Sequence, residues 1–107
     1  MEIAFKSKKL RDICQNELTA KKELGYKVST KLKHRLADIR AAGTIFEIVV
    51  GNPRELLESK SNYIMDIGEN YIIRFSANHV NNPRTSDQKI DWKKVTRIKI
   101  LSIEENE

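Results

Sequence analysis

Two stretches in the second half of the chain alternate apolar residues with charged or small ones, and this alternation constrains the fold most. Residues 63–75 hold two such runs around Gly68-Glu69-Asn70, which predicts a β-hairpin with strands at about 62–67 and 71–77. Residues 91–103 form a third run after a polar loop at 78–91. Alternation of this kind predicts a sheet with one face in a core. Arg74, Arg97 and Lys99 fall on the other face.

The first half of the chain has helical periodicity after a short predicted strand at residues 1–5. Ser7 is a plausible N-cap for a first helix that ends at Gly25. Leu10, Ile13, Cys14, Leu18 and Lys21 recur along it at helical spacing, and Cys14 is expected on its apolar side. A second helix is expected to begin at Ser29 or Thr30 and to end at Gly43, completing a helical hairpin.

The remaining segments complete a single α+β domain over residues 1–107. Residues 44–50 favour a short helix, because Thr44 and Glu47 have the capping-box spacing, and Gly51-Asn52-Pro53 predicts a loop. Trp92 is expected to cap the core. The predicted order is β-α-α-(short helix)-β-β-β, with the helical hairpin packed on one face of a small, mainly antiparallel sheet.

The positive charge lies in the first half of the chain. The net charge is +5, and residues 1–42 hold 11 Lys and Arg against 5 Asp and Glu. This excess favours an anionic partner there, although a solvated helix surface explains it equally well. The single cysteine, Cys14, gives no disulfide or metal-ligand set, and no apolar run is long enough to span a membrane. We therefore expect a cytoplasmic protein.

Four segments carry a resemblance to a known family. They are Phe5-Lys6-Ser7-Lys8-Lys9-Leu10, residues 32–42, Gly51-Asn52-Pro53 with the strand at 71–75, and residues 76–103 from Ser76-Ala77-Asn78 onward. Their order and spacing resemble the RelE/ParE toxin superfamily, and within it the HigB-type plasmid-maintenance killer proteins.

The resemblance implies a RelE-like fold and the toxin of a type II toxin–antitoxin module. Such a toxin is a ribosome-dependent mRNA endoribonuclease that inhibits translation and uses no metal or cofactor. It implies a cognate helix-turn-helix antitoxin, HigA-like, in a complex with two copies of each chain that binds promoter DNA through the antitoxin. Preorganised cations would stabilise the charge of the phosphodiester transition state.

Candidate site residues follow from the strand pattern and the resemblance together. Arg74 and His79 are the candidate catalytic residues, the latter because imidazole transfers protons near neutral pH. The candidate RNA-binding residues are Arg54, Lys60, Arg97 and Lys99. The candidate antitoxin-binding residues lie on the polar side of the second helix and are Lys31, Arg35 and Arg40.

Two departures from the family pattern keep a second hypothesis open. Ile72 stands where the family has Arg in a Tyr-Arg pair, so Arg74 would act from two residues further on. Glu105-Asn106-Glu107 replaces the usual Asp-Tyr-His chain end. The alternative is a catalytically degenerate binding protein with the toxin fold, or a ParE-like inhibitor of DNA gyrase.

Overall fold

The computed structural model describes residues 1–56 and 58–105, without the side chains of Ser59 and Lys60. These residues form an α+β fold with three α-helices and one five-stranded mixed sheet. The helices are α1 (Lys8–Gln15), α2 (Glu17–Leu24) and α3 (Tyr26–Ala41). The strands are β1 (Glu2–Phe5), β2 (Arg54–Leu56), β3 (Ser59–Ile67), β4 (Tyr71–Ala77) and β5 (Arg97–Glu105).

The sheet has the strand order β1-β5-β4-β3-β2. Strand β1 runs parallel to β5, and the other three pairings are antiparallel. The β3–β4 hairpin turns at residues 68–70, as the sequence predicts, with Gly68 at φ +71°. The predicted N-terminal strand is also present, at the edge of the sheet.

The helices pack on one face of the sheet, and the core lies between them. Its helical side chains come from Ile13, Leu32, Leu36 and Ile39, and its sheet side chains include Met65, Ile73, Phe75, Ile98 and Ile100. Trp92 is buried at the end of this core, with its ring 4.5 Å from Tyr63 and 6.3 Å from Phe75. The prediction that Trp92 caps the core is confirmed.

The prediction of one helix between Ser7 and Gly25 is wrong. Ser7 does cap α1, since its hydroxyl accepts from the Leu10 N–H, but that helix ends at Gln15. The Asn16 side chain then caps α2 by accepting from the N–H groups of the second and third residues beyond it. The break changes which residues face the core, so Leu18 is 78% exposed and Lys21 is exposed as well.

The predicted start of the second helix is also too late, because α3 begins at Tyr26, directly after Gly25. The hydroxyls of Ser29 and Thr30 do not cap a helix end. They donate to the carbonyl of Tyr26 one turn earlier, as Ser and Thr do within a helix. The helix ends at Ala41, two residues before Gly43.

Three segments between the helices and the last strand differ in detail from the prediction. Residues 44–50 contain only a 3₁₀ turn at Ile45–Glu47, closed by the Glu47 carboxylate on the Thr44 N–H at 2.9 Å. Strand β2 is not predicted by the sequence. The final strand begins at Arg97 and not at residue 91, since Trp92–Lys94 forms a second 3₁₀ turn.

Candidate nucleic-acid interface on the open face of the sheet

Strand register shows which residues lie on the face of the sheet opposite the helices, here called the open face. Residues paired across neighbouring strands share a face, and alternate residues of one strand do so too. The open face comprises Glu2, Ala4, Arg54, Asn62, Ile64, Asp66, Ile72, Arg74, Ser76, Arg97, Lys99, Ser102 and Glu104. The prediction that Arg74, Arg97 and Lys99 lie opposite the core is confirmed.

Two arginines flank one isoleucine in a row across this face. Ile64 of β3 pairs with Arg54 of β2 on one side and with Arg74 of β4 on the other. Neighbouring strands lie about 4.8 Å apart, so the Cα atoms of the two arginines are separated by about 10 Å. Lys99 stands diagonally beyond Arg74, as the partner of Ser76. These cations, from β2, β4 and β5, form a diagonal band across four neighbouring strands of the sheet.

Each arginine of the open face is paired with a carboxylate of the same face. Arg54 Nη2 lies 3.1 Å from Asp66 Oδ1, and Arg74 Nη2 lies 3.3 Å from Glu104 Oε1. The third pair joins Arg97 Nε to Glu2 Oε2 at 3.2 Å. Lys99 has no such partner among residues 1–56 and 58–105. The open face is therefore largely self-neutralised, whereas the sequence prediction considered only its cations.

The protein surface beneath the Arg54–Asp66 and Arg74–Glu104 ion pairs is apolar. Ile64 and Ile72 lie on the open face, yet each is only 8% exposed. Their neighbours by register include Arg54 and Arg74, and arginine stems cover apolar surface while the guanidinium stays near water. Charges above an apolar surface interact more strongly than fully hydrated charges, because the effective dielectric constant is lower there.

The loop before β2 fixes the direction of Arg54. Arg54 Nη1 donates to the Asn52 carbonyl at 2.8 Å, and the Asp66 N–H donates to the Gly51 carbonyl at 2.7 Å. Arg35 of α3 packs against Gly51 from the core side. Arg54 is thus held by both a backbone acceptor and a carboxylate.

His79 is not positioned for proton transfer beside Arg74. Its Nε2 accepts a hydrogen bond from the Thr96 N–H at 3.1 Å, and the His79 backbone N–H donates to Asn82 Oδ1 at 2.8 Å. It lies past the end of β4 and directly follows Asn78, whose N–H donates to the Arg97 carbonyl. A ring nitrogen that accepts a backbone N–H is occupied. The structure therefore separates the two residues that the sequence predicts to act together.

Tyr71 belongs to the core side of the sheet and not to the open face. It pairs with Glu105, and its hydroxyl lies 3.3 Å from Glu105 Oε1. Desolvation, followed by the nearby Glu105 carboxylate, raises the pKa of Tyr71 above its ordinary value. Tyr71 keeps its proton and does not supply a base to the open face.

The predicted antitoxin-binding residues have different environments on α3. Lys31 and Arg40 are exposed, whereas the Arg35 side chain is only 15% exposed and bonds Asp38 at 2.7 Å. The side chain of Lys60, a predicted RNA contact, and residues 106 and 107 of the chain end lie outside what the structure describes.

A groove of about 490 Å³ is lined by residues of α1, α2 and α3. Ile13, Ala20 and Leu32 form its buried floor, while Lys21 and Arg40 are among the cations at its rim. Cys14 also lines it, and burial raises the pKa of this thiol to about 11 from an ordinary 9.0, although Arg40 acts in the opposite direction. The raised pKa lowers the thiolate fraction near neutral pH, so the thiol reacts more slowly there than an ordinary cysteine.

Sequence reasoning missed the carboxylates of the open face. The position of Asp66 could have been predicted, because Asp66 alternates with the buried Met65 and Ile67 of β3. The position of Glu104 could not, because Glu104 lies five positions after Lys99 and strict alternation would put it on the core side. One extra residue in β5, Leu101, sits opposite the step from Arg74 to Phe75, and this bulge returns Glu104 to the open face.

Comparison of the chain with protein-family models, with curated proteins and with solved structures gives no match. In the described part of the chain, no group of three or more His, Cys, Asp and Glu side chains is arranged to hold a metal ion. No described helix combines the length and apolarity needed to cross a membrane.

Proposed function

We propose that this chain is the RelE-like, HigB-type toxin of a type II toxin–antitoxin module, and that it binds mRNA on the ribosome through the open face. The observation that carries the proposal is the diagonal band of Arg54, Arg74 and Lys99 on a sheet whose other face is covered by helices. Single-stranded RNA suits such a surface, because a band of cations can follow a phosphate backbone.

The chemistry proposed for this face is cleavage of mRNA without a metal. Arg74 would stabilise the negative charge that develops on the phosphodiester as the ribose 2′-hydroxyl attacks. Arg54 would hold a neighbouring phosphate. His79 could transfer a proton only after Nε2 leaves the Thr96 N–H, so a ribosome-bound rearrangement of that loop is part of the hypothesis.

Binding without cleavage is the second candidate, and the His79–Thr96 bond is the observation that favours it. With Nε2 engaged and Tyr71 on the core side, the described part of the open face presents neither of these side chains as a free proton carrier, and its carboxylates are held in ion pairs with the arginines. A protein of this kind would block translation, or would inhibit DNA gyrase as ParE-like proteins do, without cutting RNA.

Induction of the protein in growing cells, followed by mapping of mRNA 5′ ends, tests the first candidate. We expect growth arrest and new 5′ ends within translated codons, and both should fall with Arg74→Ala or Arg54→Ala. Arg11→Ala is the matched control, because Arg11 is an exposed arginine of α1, away from the open face. Growth arrest with intact transcripts would favour binding without cleavage, and loss of DNA supercoiling would favour gyrase.

The proposed antitoxin would cover the helices and leave the open face free. It would be a HigA-like helix-turn-helix protein that brings acidic side chains to the basic helices, in a complex with two copies of each chain on promoter DNA. Charge reversal at Lys31 and Arg40 should weaken its binding, whereas Arg74→Ala should not. Since Arg35 is largely buried, its substitution tests folding more than antitoxin contact.

A further inference from the structure

Arg74 has hydrogen-bonding capacity that its ion pair does not use. Its guanidinium carries five N–H donors. One of them, on Nη2, reaches Glu104 Oε1 at 3.3 Å. The Nε–H is buried and has no acceptor among the described residues. A buried donor without a partner is costly, so this edge of the guanidinium favours any acceptor that can approach it.

Glu104 is held in place by a second contact. Ser102 Oγ donates to Glu104 Oε2 at 2.8 Å, which leaves Oε1 facing Arg74. The β5 bulge at Leu101 puts both Ser102 and Glu104 on the open face. The carboxylate therefore occupies a fixed position beside Arg74, where a phosphate oxygen of a ligand would otherwise lie.

We infer that Glu104 is a built-in competitor at Arg74, which sets the binding specificity of the open face in favour of ligands with adjacent phosphates. A single phosphate gains little at Arg74, because it only exchanges one anion for another. A chain of phosphates gains a further contact at Lys99, where no carboxylate competes among the described residues. This inference rests on the proposed function for its ligand class, single-stranded RNA.

The test is the affinity of the full chain for a fluorescent oligouridylate whose 2′-hydroxyls are methylated. The probe cannot be cleaved by attack of its own 2′-hydroxyls, so binding is measured independently of nuclease activity. Glu104→Gln should raise the affinity roughly two- to fivefold, the range expected for loss of one exposed ion pair. Glu105→Gln is the matched control, because it removes the same charge one residue away, beside Tyr71 and off the open face.

Further variants separate competition at Arg74 from a general charge effect. Arg74→Ala should abolish the gain produced by Glu104→Gln in the double variant. Equal gains for Glu104→Gln and Glu105→Gln, a gain that survives loss of Arg74, or no gain at all would each overturn the inference. Thermal unfolding of each variant checks that the fold is retained, and Ser102→Ala, which frees Glu104, should give a smaller change in the same direction.

The outcomes also distinguish this inference from the proposed function. Binding by the native protein with no change in Glu104→Gln would refute the competitor and leave RNA binding intact. Binding that responds as expected, without mRNA cleavage in cells, would support the competitor and refute the nuclease. Failure of every variant to bind the probe would refute the inference, and the mapping of mRNA 5′ ends in cells would decide the proposed function separately.

Discussion

Substitution of Gly51 by Ala should destabilise the protein for two separable reasons. Gly51 has φ +80°, where a side chain is strained by roughly 1–2 kcal/mol. A Cβ there would also lie 3.1 Å from both Arg35 Cδ and Met65 Cε, and 3.3 Å from Arg35 Nε. Met65 is completely buried and the Arg35 side chain is only 15% exposed and paired with Asp38, so both neighbours have little room to move. Overpacking of this kind costs about 1–3 kcal/mol, which gives an expected total of about 2–5 kcal/mol.

Gly68→Ala is the matched control for the backbone part. Gly68 has φ +71°, but the nearest atom to its Cβ position is Lys31 Cγ, at an ordinary 3.8 Å. It should cost only the backbone strain. Urea or thermal unfolding should therefore place Gly51→Ala about 1–3 kcal/mol below Gly68→Ala, a difference of at least about 4 °C in Tm. Equal losses for the two variants would refute the crowding argument.

A double-mutant cycle identifies the crowding partner. If Arg35 is the obstacle, Gly51→Ala should cost less in an Arg35→Ala background than in the native protein, because the removed side chain leaves room. Additive losses would instead assign the strain to Met65 or to the backbone alone. If the open face binds RNA as proposed, Gly51→Ala should weaken that binding, as Arg54→Ala should, because the same loop positions Arg54.

Three further outcomes are expected. Asn16→Ala should lower the free energy of unfolding by about 1 kcal/mol, because α2 loses both cap bonds. Asn16→Asp should retain most of that stability, since an aspartate also caps helices. Equal losses for the two variants would show that the cap does not set the break between α1 and α2. His79→Ala should cost about 0.5–1.5 kcal/mol in urea unfolding, because it removes the acceptor of the Thr96 N–H. It should leave RNA affinity unchanged. A loss of cleavage with full stability would instead support a role of His79 in proton transfer. Alkylation of Cys14 should be slower near neutral pH than that of a free cysteine, and its rate should keep rising with pH up to about 11, whereas that of a free cysteine levels off near 9.0.

The same raised pKa has a consequence for stability. Because the folded protein holds the Cys14 proton to about pH 11 while the unfolded chain releases it near 9.0, the folded state binds more protons between these values. Stability from this group is present below pH 9 and is lost as the pH rises through that window. Cys14→Ser should flatten the alkaline limb of a stability–pH profile.

The period of the hydrophobic pattern was enough to identify the central hairpin and the side of the sheet that carries the cations. Alternation fixes the face of Arg74 relative to Phe75 within one strand, whatever the rest of the fold does. Gly68 marks the turn for the same local reason, since it has the positive φ that glycine adopts readily.

Helix ends and short strands were less accessible to sequence reasoning. Asn16 interrupts a run that has helical spacing on both sides, so periodicity alone joins α1 and α2 into one helix. Strand β2 has three residues, too few for any period, and it exists because β3 offers it an edge to pair with. Its pairing with β3 is a tertiary contact that the hydrophobic pattern of three residues does not indicate.

The sequence by itself determined that cations line one face of a helix-backed sheet, and the tertiary structure decided that carboxylates neutralise them. Asp66 and Glu2 meet their arginines only through strand pairing. Glu104 reaches Arg74 because one extra residue in β5 shifts the register of everything after it. The physical reason is that alternation is a property of one strand, whereas a bulge and an ion pair are properties of two strands in register.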